Sequence, residues 1–143
     1  MPLAVACHHL SQARAALAQA ERAGGEIDLL SARGAAAYAG VGFLHAMERA
    51  LGRPLIVDCG ADAGIVMGAL RQGLRRLVFT GDSLLLVRLR DMGDQLGATI
   101  GAARPDPLLE LEPGDDAARA LAQFLAGTVV ASPGPLGPPP VCR

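Results

Sequence analysis

The chain has no lysine and no tryptophan, and its 143 residues include one tyrosine and three phenylalanines. All 13 basic residues are therefore arginine, which excludes Schiff-base chemistry on a lysine amine. With so few aromatic rings, a core must be built from Ala, Leu, Val and Ile, and 51% of the residues are hydrophobic. Such a core suits helices laid on a parallel sheet. Cysteine is scarce too: Cys7, Cys59 and Cys142 are widely spaced and form no CxxC, so neither a disulfide framework nor a zinc knuckle is indicated. A reducing, cytoplasmic setting is the simpler expectation. Neither sign of charge is in excess, since 14 acidic residues balance the arginines to a net charge of -1, leaving no footprint for nucleic acid or an anionic membrane. The short basic piece "RQGLRR" (71 to 76) is flanked by leucine and reads as a solvated helix end. Also missing are an apolar run of ~18 to 20 residues and, at "MPLAVACHHL", the basic and long apolar regions of a leader. A soluble protein that stays where it is made is expected.

What is present is rhythm. Short apolar runs alternate with amphipathic stretches, as in repeated βα units around a parallel sheet. Five strands are predicted, at 3 to 8, 26 to 31, 54 to 59, 76 to 81 and 98 to 102, with helices near 11 to 23, 36 to 51, 62 to 73 and 83 to 96. Ser11 is the expected N-cap of the first helix. From Arg104 the rhythm fails in "RPDPLLELEPGDD"; "DDAARALAQFLAG" then reads as a sixth helix, and "SPGPLGPPPVCR" as an extended tail in which Cys142 is incidental. The expected organisation is a βα domain over 1–103, a Pro-rich connection and helix over 104–127, and a Pro/Gly-rich tail over 128–143.

Strand ends are where parallel α/β proteins keep their chemistry, and "PLIVDCG" (54 to 60) places an acid and a thiol there. Read from Ala4 to about Gly101, the sequence resembles the first half of a class II (metal-dependent) ketose-bisphosphate aldolase. The opening "AVACHHLSQ" stands where that family has a strand of the type AVGAFNV. "LLSARGAAAYAG" looks like the family's strand ending in Ser-x-Gly-Ala before a Tyr-Ala-Gly helix, and "PLIVDCG" stands where the family has a strand ending in His-x-Asp-His. "ALRQGLRRLVFTGDS" stands where the family has an Ala-Ile-x-x-Gly helix and a strand ending in Asp-x-Ser, and "LRDMGDQLGATIG" falls where it has a helix ending in Ala-His-x-x-Gly before an acidic strand. The resemblance implies about five strands of a partial, half TIM-barrel-like α/β fold with an extra C-terminal helix; a complete barrel needs about 250 residues.

The resemblance also implies roles. Asp58 takes the place of the catalytic acid/base aspartate, and Ser31 and Asp82 match positions near substrate and metal. Cys59 stands where the family has a metal-ligand histidine, and Thr99 to Gly101 replace acidic positions. No metal site is assigned; zinc or another divalent ion could be assembled only from a weak set that includes Cys59, His8 and His9, because thiolate and imidazole suit zinc. The plain alternative is that Cys7 and Cys59 are small buried hydrophobes. Cys59 as a nucleophile is opposed by neighbouring carboxylates, which raise a thiol pKa.

The leading expectation is therefore a catalytically degenerate aldolase-like protein acting as a self-assembling module or as a binder of a partner or of a small phosphorylated or carbonyl ligand. The alternative is a residual metal-dependent carbon-carbon lyase using Asp58 as general acid/base. A flavodoxin-like nucleotide binder fits the rhythm alone, without a GxGxxG or Walker loop to support it. An open half barrel leaves sheet edges and an inner face to cover, which makes a homo-oligomer the first expectation; the alternatives are a fold-back of residues 107 to 126 over the open face and a reordering of the strands into a doubly wound layer.

Overall fold

The computed structural model describes residues 2–131. Each apolar run forms a strand and each amphipathic stretch a helix: β1 (Leu3–Cys7), α1 (Leu10–Arg22), β2 (Ile27–Ser31), α2 (Ala35–Tyr38), α3 (Val41–Leu51), β3 (Leu55–Asp58), α4 (Ala63–Gln72), β4 (Arg76–Val78), α5 (Ser83–Leu96), β5 (Thr99–Gly101), β6 (Leu108–Glu110) and α6 (Ala117–Ala131). The six strands make one all-parallel sheet in the order β5-β4-β3-β2-β1-β6.

The period of two along each strand sorts the side chains onto two faces. Val5, Cys7, Ile27, Leu29, Leu55, Val57, Leu77 and Ile100 point into the layer shared with the helices, where Ala13, Leu44, Val66, Leu86 and Leu121 meet them. The opposite face carries a separate, smaller cluster from strands alone: Ala6, Leu30, Ile56 and Val78, with Leu108 against it. All helices thus lie on one side, unlike a flavodoxin-like layer, which needs helices on both faces.

The helix-free face is concave. One guanidinium, that of Arg104, touches Asp58 of β3 and Glu110 of β6, strands that a flat sheet would hold about 14 Å apart. Curling is also what lets residues 102–107 connect β5 at one edge to β6 at the other.

Three local differences from the sequence reading have clear causes. The helix expected over 36 to 51 is interrupted, because Gly40 adopts φ 91, ψ 151 between α2 and α3, a conformation open essentially to glycine. The N-cap of α1 is His9, whose Nδ1 accepts from the Gln12 N–H at 3.4 Å; Ser11 lies inside the helix with its hydroxyl 2.7 Å from the same nitrogen. The third is the sixth strand, hidden between Pro107 and Pro113. Its residues pair with the free edge of β1, Ala4 opposite Leu108 and Ala6 opposite Glu110; Pro107 joins the ladder only through its carbonyl, which accepts from the Ala4 N–H at 3.1 Å, a place where the missing proline N–H costs no bond.

Residues 107 to 126 consequently do not fold over the concave face. They extend the sheet beyond β1, and α6 packs on α1 in the helix layer with Ala117 and Leu121 buried. The helix runs to Ala131, four residues past its expected end, and the remainder of the expected tail, with Cys142, lies outside the described residues. Among the described residues no helix is long and apolar enough to cross a membrane.

Candidate functional site at the strand ends

A cavity of about 250 Å³ opens at the C-terminal ends of the central strands, bordered by Arg33, Ala36, Asp58, Cys59, Thr80 and Arg104 among others. A larger hollow of about 660 Å³ lies between the C-terminal halves of α1 and α3, lined by Arg14, Leu17, Glu21 and Arg53 among others. The smaller one is the better candidate. It sits where parallel sheets place ligands, and buried charged groups converge on it.

Asp58 ends β3 on the concave side and is 5% exposed. Its backbone N–H donates to Ser31 Oγ at 2.9 Å, and its carboxylate folds back over the turn, where Oδ1 accepts from the Gly60 N–H at 2.9 Å. Gly60 stands at φ +60, so the Asp-Cys-Gly corner needs its glycine as much as its acid. Asp58 Oδ2 lies 2.9 Å from Arg104 Nε, and Arg104 Nη1 donates to Glu110 Oε2 at 2.8 Å. Arg33 Nε stands 3.7 Å from the same Glu110 oxygen, so two carboxylates and two guanidinium groups balance in charge.

The balance in hydrogen bonds is incomplete. Nη2 of Arg104 is enclosed and has no acceptor, and Nε meets Asp58 as an ion pair without an aligned hydrogen bond. A buried guanidinium with unused donors is costly unless something accepts from it.

The other predicted positions fall into different environments. Ser31 is fully buried and spends its oxygen on the Asp58 backbone, which makes it a support of the corner rather than part of the cavity wall. Asp82 is the exposed N-cap of α5, its Oδ2 accepting from the Leu85 N–H at 2.9 Å, and it does not border the cavity.

His8 and His9 face the segment after β6: Nε2 of His8 lies 2.8 Å from the Leu111 carbonyl, and Nε2 of His9 lies 3.2 Å from that of Pro113. Carbonyl oxygens only accept, so the network assigns the proton to Nε2 in both rings. Gln12 completes this clamp, its amide nitrogen donating to the Glu112 carbonyl at 2.8 Å and its oxygen accepting from the His8 N–H at 2.8 Å.

Cys59 borders the cavity, yet its thiol donates to the Val57 carbonyl at 3.7 Å. Burial first, then the Asp58 and Asp62 carboxylates, push it up to about 12. Burial likewise pushes Cys7 up to about 12. Neither thiol is poised as a thiolate nucleophile or ligand near neutrality. Among the described residues no group of three or more His, Cys, Asp or Glu side chains stands close enough together to hold a metal ion, so the donor set does not fit the divalent ion that the resemblance implies.

Sequence reasoning missed Arg104, Arg33, Glu110 and Thr80. Its one available signal was a lone arginine ahead of two prolines in a link too short to be a helix. In class, this is a singly wound parallel α/β protein with an ion-paired pocket at its strand ends. No protein-family model matches the chain, and no curated protein does.

Proposed function

We propose that the chain is a catalytically degenerate relative of the class II aldolases whose strand-end cavity binds a small oxyanion, such as a phosphorylated carbonyl compound. The curled sheet, with strands in the order β6-β1-β2-β3-β4-β5 and helices on one side only, corresponds in this reading to part of a (β/α)₈ barrel. The observation that carries the reading is the enclosed, unpartnered Nη2 of Arg104 beside a cavity of about 250 Å³. A phosphate or carboxylate oxygen is the acceptor such a group pairs with most strongly. Arg33 stands on the same wall with its side chain 69% exposed, free to close on the anion.

The way Asp58 is employed supports degeneracy. One oxygen is held by the Gly60 N–H and the other by Arg104, so the carboxylate is engaged within the fold, whereas a general base needs an oxygen free to reach substrate. The test is calorimetric titration with dihydroxyacetone phosphate and, separately, with inorganic phosphate. Binding of dihydroxyacetone phosphate is expected, weakened about tenfold, or 1.4 kcal/mol, by Arg33→Ala. Failure to bind either compound at millimolar concentration sinks the ligand reading. Turnover of a ketose bisphosphate with added divalent metal would restore the lyase alternative.

A further inference from the structure

Eight large hydrophobic side chains stand exposed among the described residues, and five of them lie on α5: Leu84, Leu85, Val87, Met92 and Leu96, with Leu84 77% and Val87 65% exposed. The helix already has a buried side, since Leu86, Leu89 and Gly93 pack toward the sheet. Its outward side mixes these apolar side chains with charged ones, the composition of a surface that a partner covers.

The outer face also carries a pattern. Leu84, Arg88, Asp91 and Gln95 follow one another at intervals of four, three and four residues, the spacing of a seam between two paired helices. Val87 lies on one flank of that ridge and Met92 on the other. Arg88 and Asp91 are exposed, and neither makes an ion pair or side-chain hydrogen bond with another described residue.

We propose that α5 is a self-association surface through which two copies of this chain pair antiparallel, about a twofold axis passing between Arg88 and Asp91. In that arrangement each Arg88 faces the partner's Asp91, so both unused charges are satisfied twice by one symmetry operation. On the flanks Met92 stands beside the partner's Leu85 and Val87 beside the partner's Asp94, and the Leu84 end of one helix lies beside the partner's Leu96. A parallel pairing would set Arg88 against the partner's Arg88, which selects the antiparallel one. A helix of 14 residues is about 21 Å long, so the interface is small and the dimer dissociates on dilution. This surface is independent of the ligand reading.

Sedimentation velocity on the full chain over a range of concentrations tests it. The mass is expected to climb from 14.6 kDa toward twice that value. Arg88→Asp and Asp91→Arg should each weaken dimerisation at least about tenfold, because each creates two like-charge contacts per dimer, and the double reversal should recover it. All three charge-reversal variants change only the exposed Arg88 and Asp91, and far-UV circular dichroism verifies that the variants fold. Val87→Asp, also exposed, should abolish the dimer by placing a second negative charge beside the partner's Asp94. A monomer at every concentration overturns the proposal, as does a dimer unmoved by the single reversals and by Val87→Asp. A natively folded double reversal that stays monomeric overturns the antiparallel register.

Discussion

Replacing Arg104 with methionine removes the one described cation that reaches the Asp58 carboxylate and leaves an acid that is 95% buried without its counter-ion. Breaking a buried pair by removing one partner costs about 3 to 5 kcal/mol. Two features of the site lower that figure. The Gly60 N–H still donates to Oδ1, and the adjoining cavity gives water a path to Oδ2, so a loss of about 2 to 3 kcal/mol is expected. Glu110, with 42% of its side chain exposed and Arg33 nearby, is rehydrated without adding to that loss. With no tryptophan and an exposed lone tyrosine, the assay is urea unfolding followed by far-UV circular dichroism. For a chain of this size the midpoint should fall by roughly 1 to 2 M, given a slope of about 1.5 to 2 kcal/mol/M. Adding Asp58→Asn to Arg104→Met removes the orphaned charge and should recover at least half of the loss. An Arg104→Met midpoint within about 0.3 M of the parent, close to the precision of such extrapolations, would refute the buried pair. So would a double variant no more stable than the single.

Two further outcomes are expected. The folded state holds the Cys7 and Cys59 thiols at about 12 against 9.0 in the open chain, so above pH 9 it keeps protons that the unfolded chain releases. Stability is therefore fully present below pH 9 and is lost as pH climbs toward 12, by up to about 1.4 kcal/mol per pH unit for each thiol. Urea midpoints measured under reducing conditions from pH 8 to 10.5 should fall more gently in Cys7→Ala/Cys59→Ala, and an equal decline would contradict the assignment. Gly81→Ala would set a Cβ 2.5 Å from Phe79 Cζ and 3.1 Å from the Ala61 carbonyl oxygen. Phe79 is fully buried and has little room to move, so overpacking should cost about 1 to 3 kcal/mol, and a melting temperature equal to the parent's would show that the ring adapts.

Five strands and the one-per-strand helices were legible because apolar runs and amphipathic periods are local signals, carried within each segment. β6 was not, since a strand of three residues between prolines has no period to display, and only the free edge of β1 makes it a strand. The same division runs through the site. Asp58 could be singled out because a strand end is a local feature, and the carboxylates that raise the Cys59 thiol could be anticipated because they lie close to it in sequence. Arg104 escaped because its meaning depends on the curling of the sheet, which brings Asp58 and Glu110 to one guanidinium from strands 52 residues apart in the chain. His8 and His9 look like ligands in sequence, yet their partners are carbonyls more than 100 residues away, a distance over which composition says nothing.

The pairing of β1 with β6 has a consequence for the order in which the protein is made. Leu3–Cys7 leaves the ribosome roughly a hundred residues ahead of the strand that covers its outer edge and of the backbone accepting from His8, His9 and Gln12. At bacterial-to-eukaryotic synthesis rates of about 5 to 20 residues per second, that edge stays open for roughly 5 to 20 s. During that interval the nascent chain presents a short apolar strand with unpaired donors to its surroundings. The residues at risk of misassembly are thus those of β1, and the event that ends the risk is the arrival of a five-residue stretch, Leu-Leu-Glu-Leu-Glu, about a hundred residues further along the chain.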